Sequence, residues 1–170
     1  KSKREIMRFC QSFMYALYRY IGADTDVPAG DIGVGSREVG WLYGAYKKVT
    51  GRAESSALTG KGLTYGGSRI RQEAAGFGVV YFLGRMLEHQ GTTLEGKRLV
   101  VSGFGNMSWG VCRKAAELGA RVVTLSGPDG YIFDGDGVAT QEKYDFLVQM
   151  RYSGEDRVEA YAQRFGVEFY

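Results

Sequence analysis

The hydrophobic pattern predicts an amphipathic helix near the start of the chain. Apolar residues recur at steps of three and four from residue 6 to residue 21, which is the spacing of one helix face. The predicted buried face consists of Ile6, Cys10, Phe13, Leu17 and Ile21. Ser2 and Glu5 fit a capping box at the start of this helix, and Gly22 is expected to end it in left-handed backbone.

Two more helices are predicted before the first strand. One runs from about Arg37 to Thr50, with Ser36 as its cap. The other runs from Glu73 to Gln90 and carries apolar residues around much of its surface, so we expect it to be well buried. Between them, Arg52–Ile70 is rich in Gly, Ser and Thr and shows neither the helical nor the strand periodicity of apolar residues. We therefore place a domain boundary near Gly66 and expect domains at 1–66 and 67–170.

The second half of the chain predicts a βαβ unit. Arg98–Ser102 is typical of a strand, Gly103–Met107 of a turn, Trp109–Leu118 of a helix and Arg121–Leu125 of a second strand. Strand, helix and strand in this order favour an α/β fold with a parallel pair. A short extended piece at residues 131–133 and helices at about 140–150 and 155–165 complete the pattern.

Composition excludes several function classes. The 170 residues carry a net charge of +3 with scattered basic side chains, so no nucleic-acid surface is predicted. The first apolar run is interrupted by Arg8, Gln11 and Arg19, which excludes a bilayer span and predicts no membrane partner. Cys10 and Cys112 are far apart, so we expect reduced thiols, no metal site and a cytoplasmic protein.

The strongest local signal is the glycine turn after the first predicted strand. Gly103 allows a sharp turn, Gly105 allows close approach of a diphosphate, and the following helix supplies free amides. Ser108 stands in place of a third glycine. This context predicts dinucleotide binding.

Two residues near the end of the second predicted strand bear on the choice of dinucleotide. An NAD-specific domain often has a carboxylate there for the ribose, but this chain has Ser126, and Asp129 follows three residues later. The missing acid favours NADP, with NAD as the alternative. The segment Ser126–Gly130 is also consistent with a simple turn.

Asp31 is the carboxylate best placed for catalysis by its surroundings. It lies in the glycine-rich segment Pro28–Gly35, where backbone can approach a small ligand and a proton-transfer group can be tuned. A turn aspartate that only binds neighbouring amides is the more common role of Asp beside Gly. His89 is expected at a solvated helix end.

The whole chain resembles the hexameric NAD(P)-dependent glutamate dehydrogenases. Five blocks in the family's order carry the resemblance: Arg8–Met14, Asp26–Gly35, Leu58–Lys61, Gly103–Asn106 and Thr124–Tyr131. The resemblance implies the end of an α/β substrate and oligomerisation domain, followed by the first half of a Rossmann-type nucleotide-binding domain. It also implies a homohexamer.

The resemblance further implies oxidative deamination of L-glutamate to 2-oxoglutarate and ammonia, with NADP or NAD as cofactor. Asp31 then exchanges protons with the substrate nitrogen, while Gly30 and Arg71 serve the substrate site. The cofactor residues are expected to be Gly103, Gly105, Asn106, Met107, Ser126 and Asp129. The nucleotide is expected to face Asp31 across a cleft.

Some residues depart from the family pattern. Gln72 and Ala75 stand where the family usually has proline and a cofactor-binding threonine. The family's catalytic lysine segment is expected to precede Lys1, so we expect this span to be inactive alone, as an internal piece of a longer enzyme. The alternatives are a non-catalytic nucleotide-binding or assembly module and a dehydrogenase for another amino acid.

Overall fold

A computed structural model describes residues 1–71, 73–153 and 157–170. The chain forms two compact units, Lys1–Arg71 and Gln72–Tyr170. Gln72, where the sequence departs from the family pattern, and Glu155, where the last helix was predicted to start, lie outside the described residues.

The first unit is built on two helices, α1 (Lys3–Leu17) and α2 (Ser36–Thr50), which pack against each other. Short 3₁₀ turns follow at Tyr18–Tyr20, Ser55–Ala57 and Leu63–Tyr65. The buried core of this unit consists of Met14, Ile21, Tyr43, Ala45, Tyr46, Ala57 and Leu58. Because Ala57 and Leu58 belong to this core, the glycine-rich segment after α2 is part of the first compact unit.

The predicted capping box at the start of α1 is confirmed. The Ser2 Oγ accepts the Glu5 N–H at 3.3 Å, and the Glu5 carboxylate accepts the Ser2 N–H at 2.6 Å. The predicted helix end at Gly22 is wrong, because α1 ends at Leu17 and a 3₁₀ turn follows.

The predicted buried face of α1 is wrong at Phe13. This side chain is 49% exposed and stacks on Phe9 at 6.2 Å between ring centroids, whereas Met14 is fully buried. At about 100° per residue, Met14 lies closer in angle to the buried Cys10 than Phe13 does. Helix α1 therefore has two adjacent apolar stripes, of which α2 covers one.

The second unit contains the predicted βαβ motif. Strand β1 (Arg98–Val100) and strand β2 (Arg121–Gly127) are parallel neighbours, and helix α4 (Asn106–Glu117) connects them. Helix α3 (Ala74–His89) precedes β1 and packs against α4. The predicted α/β fold class is confirmed.

The sheet continues with two antiparallel strands. Strand β3 (Gly130–Phe133) confirms the predicted extended piece at 131–133. It forms a hairpin with β2, and β4 (Glu168–Phe169) pairs with β3. The sheet order is β1-β2-β3-β4. Helices α5 (Gln141–Ser153) and α6 (Glu159–Phe165) lie between β3 and β4 in the sequence, and bury Leu147, Met150, Tyr161 and Ala162.

The prediction that α3 is well buried is wrong. Gly76 and Val80 are buried, but Tyr81 and Met86 are 54% and 49% exposed, and Phe82 is 69% exposed. Helix α4 covers one face of α3, and the apolar residues of the other face remain accessible in this chain. Apolar residues around the whole helix do not show which neighbour covers each face.

A buried ion pair holds the segment after β3. The Lys143 ammonium contacts Asp134 Oδ2 at 2.6 Å, and the Tyr161 hydroxyl donates to the same oxygen at 2.7 Å. Asp134 Oδ1 accepts the Gly137 N–H at 3.1 Å. Burial is the main cause that raises the pKa of Tyr161, so its hydroxyl keeps its proton and donates.

Cys10 and Cys112 are both buried free thiols. Burial raises the pKa of Cys112 to about 12, so it is a packing residue and an unsuitable nucleophile at neutral pH. None of the helices formed by the described residues is long and apolar enough to cross a membrane.

Candidate functional site

Asp31 lies in a tight turn between the 3₁₀ turn at Tyr18–Tyr20 and helix α2. The Val34 N–H donates to the Asp31 carbonyl at 2.8 Å, and Gly33 has a φ of 77°, which favours glycine. Asp31 is exposed, and its Oδ1 accepts the Ile32 N–H at 2.8 Å. This hydrogen bond fits the alternative role as a turn aspartate and also fixes the direction of an accessible carboxylate.

Gly30 is required by the turn itself. An added Cβ would lie 2.6 Å from the Val34 carbonyl oxygen, which is a backbone atom and cannot move aside easily. The Val34 carbonyl fills the space where a side chain would stand, so packing within the turn explains the glycine. The expected contact of the Gly30 backbone with a substrate stays a prediction.

The turn is held on both sides by the first unit. The Thr59 N–H donates to the Pro28 carbonyl at 3.0 Å, which attaches the turn to the Leu58–Lys61 block. On the other side, Glu38 Oε2 accepts the Gly35 N–H at 3.1 Å. Two of the sequence blocks thus meet at one loop.

The predicted cap of α2 is wrong, and the residue that replaces it was missed. Ser36 is the first helical residue and Gly35 is the N-cap, which has no side chain to offer. Glu38, buried to 6% exposure, supplies the hydrogen bond at this helix start. A Glu three residues after the N-cap is the sequence signal that identifies this role.

Arg71 lies at the end of the first unit and is exposed. Within residues 1–71, 73–153 and 157–170, no hydrogen bond or ion pair joins Arg71 to Asp31. Its supporting role at the substrate site stays a prediction.

The glycine turn of the second unit has the predicted shape. Gly103 has a φ of 116°, and an added Cβ would be 3.1 Å from the Oγ of the buried Ser108. Gly105 is the N-cap of α4, and no side chain of the described part caps this helix start. The first intrahelical bond runs from the Trp109 N–H to the Gly105 carbonyl. The exposed residues Asn106 and Met107 therefore present backbone amides at a positive helix end.

Two hydroxyl groups of β2 fix this turn. Thr124 Oγ1 accepts the Val101 N–H at 3.0 Å and donates to the Val101 carbonyl at 3.2 Å. Ser126 Oγ accepts the Gly103 N–H at 2.7 Å. The regular register between β1 and β2 is interrupted at Leu99 and Val100. Beyond this point, these side-chain hydroxyls of β2 supply hydrogen bonds to the backbone that follows β1. Ser126 shapes the turn that was predicted to bind the cofactor.

The structure gives Asp129 a contact that the sequence did not predict. Its two carboxylate oxygens accept the N–H groups of Val158 and Glu159 at 3.1 and 3.0 Å. Asp129 therefore caps the start of α6 and closes the turn after β2. Its predicted contact with a cofactor ribose stays a prediction.

Close packing holds α4 in place. An added Cβ on Gly76 of α3 would lie 2.3 Å from the Met107 carbonyl oxygen and 2.6 Å from the Val111 nitrogen. An added Cβ on Gly110 of α4 would lie 2.5 Å from the Glu73 carbonyl oxygen. Backbones of α3 and α4 touch at this crossing, which determines the position of the amides at the start of α4.

The chemistry of the described residues does not point to a bound metal. No group of three or more His, Cys, Asp and Glu side chains in the described ranges is arranged to hold an ion. The features that stand out are therefore the turn of Asp31 in the first unit and the start of α4 in the second.

Comparison with known sequences matches both units to one family. The sequence model described as Glutamate/Leucine/Phenylalanine/Valine dehydrogenase matches residues 66–169. The model described as Glu/Leu/Phe/Val dehydrogenase, dimerisation domain, matches residues 1–48.

Individual relatives agree with this match. The chain is 54% identical to an NAD-specific glutamate dehydrogenase of Clostridium symbiosum, over all of this chain and 38% of the relative. It is 48% identical to an NADP-specific glutamate dehydrogenase of Haemophilus influenzae, over all of this chain and 37% of the relative.

A solved structure of a glutamate dehydrogenase, 54% identical, superimposes with a TM-score of 0.91 over all of this chain and 38% of that one. The chain thus spans little more than a third of the length of these proteins. With both units matched, the chain belongs to the Glu/Leu/Phe/Val dehydrogenase family.

Proposed function

We propose that the full-length protein carrying this chain is an NAD(P)-dependent glutamate dehydrogenase. It would convert L-glutamate to 2-oxoglutarate and ammonia, and catalyse the reverse reaction. The observation that carries the proposal is the uncapped start of α4 after the Gly103–Gly105 turn, in a chain whose relatives are named glutamate dehydrogenases.

The residues of this chain divide into two roles. In the first domain, 1–66, Asp31 exchanges a proton with the substrate nitrogen and Gly30 offers its backbone, and Arg71, just past this boundary, contributes positive charge. In the second domain, 67–170, the turn and the start of α4 hold the dinucleotide. When bound, its nicotinamide supplies the hydride acceptor and donor that these side chains lack.

Gly105 tests whether the turn fits a dinucleotide. An added Cβ at this position meets no atom within 4 Å, and its φ of −106° is open to any residue. Neither packing nor backbone conformation within this chain therefore requires glycine here. Close approach of an external group, such as the diphosphate of a dinucleotide, explains it.

We expect Gly105→Val in the full-length protein to weaken cofactor binding at least tenfold, or about 1.4 kcal/mol. The β-branched side chain would occupy the space beside the amides of Asn106 and Met107. Gly44→Ala is the matched control, because an added Cβ there also meets nothing within 4 Å. Fluorescence titration would show unchanged affinity for the control; equal affinity of Gly105→Val would contradict the proposed diphosphate site.

Two observations bear on the choice of cofactor in opposite directions. Ser126 places no acid where a 2′-phosphate would bind, which favours NADP. The Clostridium symbiosum relative is NAD-specific and is more similar to this chain than the NADP-specific one described above. The preference for NADP stays a prediction, with NAD as the alternative, and the ratio of kcat/KM for the two cofactors decides it.

The activity is tested by turnover of the full-length protein. We expect cofactor reduction with L-glutamate that exceeds the rates with leucine, phenylalanine and valine. A higher kcat/KM for one of the other amino acids would assign a different substrate within the family. Cofactor binding without turnover of any of them would favour the alternative of a non-catalytic module.

We also propose that the full-length protein is a cytoplasmic homohexamer. The match of residues 1–48 to a dimerisation domain supports self-association. The buried free thiols of Cys10 and Cys112 support a reducing compartment. Light scattering on the purified full-length protein would give the mass of six subunits; a monomer would reject the assembly.

A further inference from the structure

Glu38 is a buried carboxylate directly behind the turn of Asp31. Its side chain in α2 is 8% exposed, and both of its oxygens are used. Oε2 accepts the Gly35 N–H at 3.1 Å, and Oε1 accepts Arg37 Nε and Nη2 at 2.8 and 2.6 Å. The glutamate therefore joins the last residue of the turn to the start of the helix.

The turn itself transmits this attachment to Asp31. The Val34 N–H donates to the Asp31 carbonyl at 2.8 Å, and Gly35 is the next residue along the chain. At the other end, Pro28 is held by the Thr59 N–H at 3.0 Å. With both ends held, the backbone between them has few ways to move, and the Asp31 carboxylate keeps one direction.

Of these two attachments, the one at Gly35 depends on a single side chain. Gly35 has no side chain to cap α2, so Glu38 alone supplies the hydrogen bond to this amide among the described residues. Arg37 is held in turn by its guanidinium over the Trp41 ring at 5.2 Å. The contact is charge-assisted, because the buried Glu38 carboxylate accepts the N–H of the exposed Gly35, and removing the carboxylate would release this end of the turn.

We propose that Glu38 is a positioning residue for Asp31 in the reaction; this inference rests on the proposed function. Glu38 touches neither substrate nor cofactor in this role. It holds the turn so that the Asp31 carboxylate meets the substrate nitrogen in a geometry that allows proton transfer.

The kinetic test compares Glu38→Ala, Glu38→Gln and Glu5→Ala in the full-length protein. Glu38→Ala is expected to lower kcat by roughly 10- to 100-fold with unchanged cofactor affinity. Glu38→Gln is expected to restore most of kcat, since its amide oxygen still accepts the Gly35 N–H. Glu5→Ala is the matched control, because Glu5 caps α1 in the same way without contact to the turn. It should leave kcat unchanged.

A double-mutant cycle separates positioning from general structural damage. If Glu38 acts through Asp31, Glu38→Ala causes no further loss of kcat in an Asp31→Asn background. Equal losses of kcat in both backgrounds would overturn the proposal. So would a Glu38→Gln variant as slow as Glu38→Ala with an unchanged melting temperature.

Hydrogen exchange provides a readout that does not depend on turnover. Amides of residues 32–35 are expected to exchange faster in Glu38→Ala and Glu38→Gln than in wild type. Exchange should be fastest in the alanine variant. Unchanged exchange in both variants would overturn the proposal. A wild-type protein without glutamate turnover would reject the proposed function, and the exchange data would still show whether Glu38 holds the turn.

Discussion

Asp31→Asn in the full-length protein is expected to lower kcat for glutamate oxidation by roughly 10²- to 10⁴-fold, the range for loss of a general acid–base group. The substitution keeps a side-chain oxygen that can accept the Ile32 N–H, which now lies 2.8 Å from Asp31 Oδ1. The turn should therefore keep its shape while the group proposed to exchange protons is lost. Steady-state kinetics and cofactor titration would show a fall in kcat with unchanged cofactor Kd.

Asp24→Asn is the control for this substitution. Asp24 is another exposed carboxylate of the first unit, and it precedes the turn by several residues. Its loss removes the same charge without touching the turn, so kcat should stay within about twofold of wild type. If Asp31→Asn behaved like this control, Asp31 would be only a turn residue that binds the neighbouring amide.

A large effect on stability is expected from Gly76→Ala. The new Cβ would lie 2.3 Å from the Met107 carbonyl oxygen, 2.6 Å from the Val111 nitrogen and 2.7 Å from the Gly110 Cα. All three are backbone atoms, so α3 and α4 must separate. We expect the free energy of unfolding to fall by about 3 kcal/mol, at the upper end for overpacked sites. Denaturant titration measures this change.

Gly78→Ala provides a matched comparison in the same helix. An added Cβ at Gly78 meets nothing within 4 Å. Alanine also favours helical backbone, so this variant should be neutral or more stable by up to about 1 kcal/mol. Equal stability of the two variants would show that α3 and α4 are not in backbone contact at Gly76. Because this contact positions the start of α4, Gly76→Ala should also weaken cofactor binding.

Local signals in the sequence predicted the parts of the fold that depend on neighbouring residues. The strand, turn and helix around Gly103 follow from a short apolar run, a glycine pair and helical spacing, all within 20 residues or so. The capping box of Ser2 and Glu5 is equally local. These elements were found because their hydrogen bonds join residues close in sequence.

Features that depend on distant neighbours were predicted less well. Phe13 and Met14 are adjacent and both apolar, and only the position of α2 decides that Met14 is buried. The apolar surface of α3 exceeds what α4 covers, so its periodicity did not show which face is accessible. Tertiary packing outweighs local pattern in both cases.

The candidate site shows the same division. Asp31, Gly103 and Gly105 were identified from composition and spacing, because turns and glycine pairs are visible in the sequence. The contacts of Ser126 with Gly103 and of Asp129 with α6 join residues more than 20 positions apart. Such contacts require the strand register and the helix placement, which a single sequence does not specify.

A crystal structure of the full-length protein with NAD or NADP tests most directly whether a dinucleotide binds at the start of α4. We predict that diphosphate oxygens lie within about 3 Å of the backbone N–H groups in Gly105–Met107. A dinucleotide bound elsewhere in the full-length protein, with these amides in contact with solvent, would contradict it.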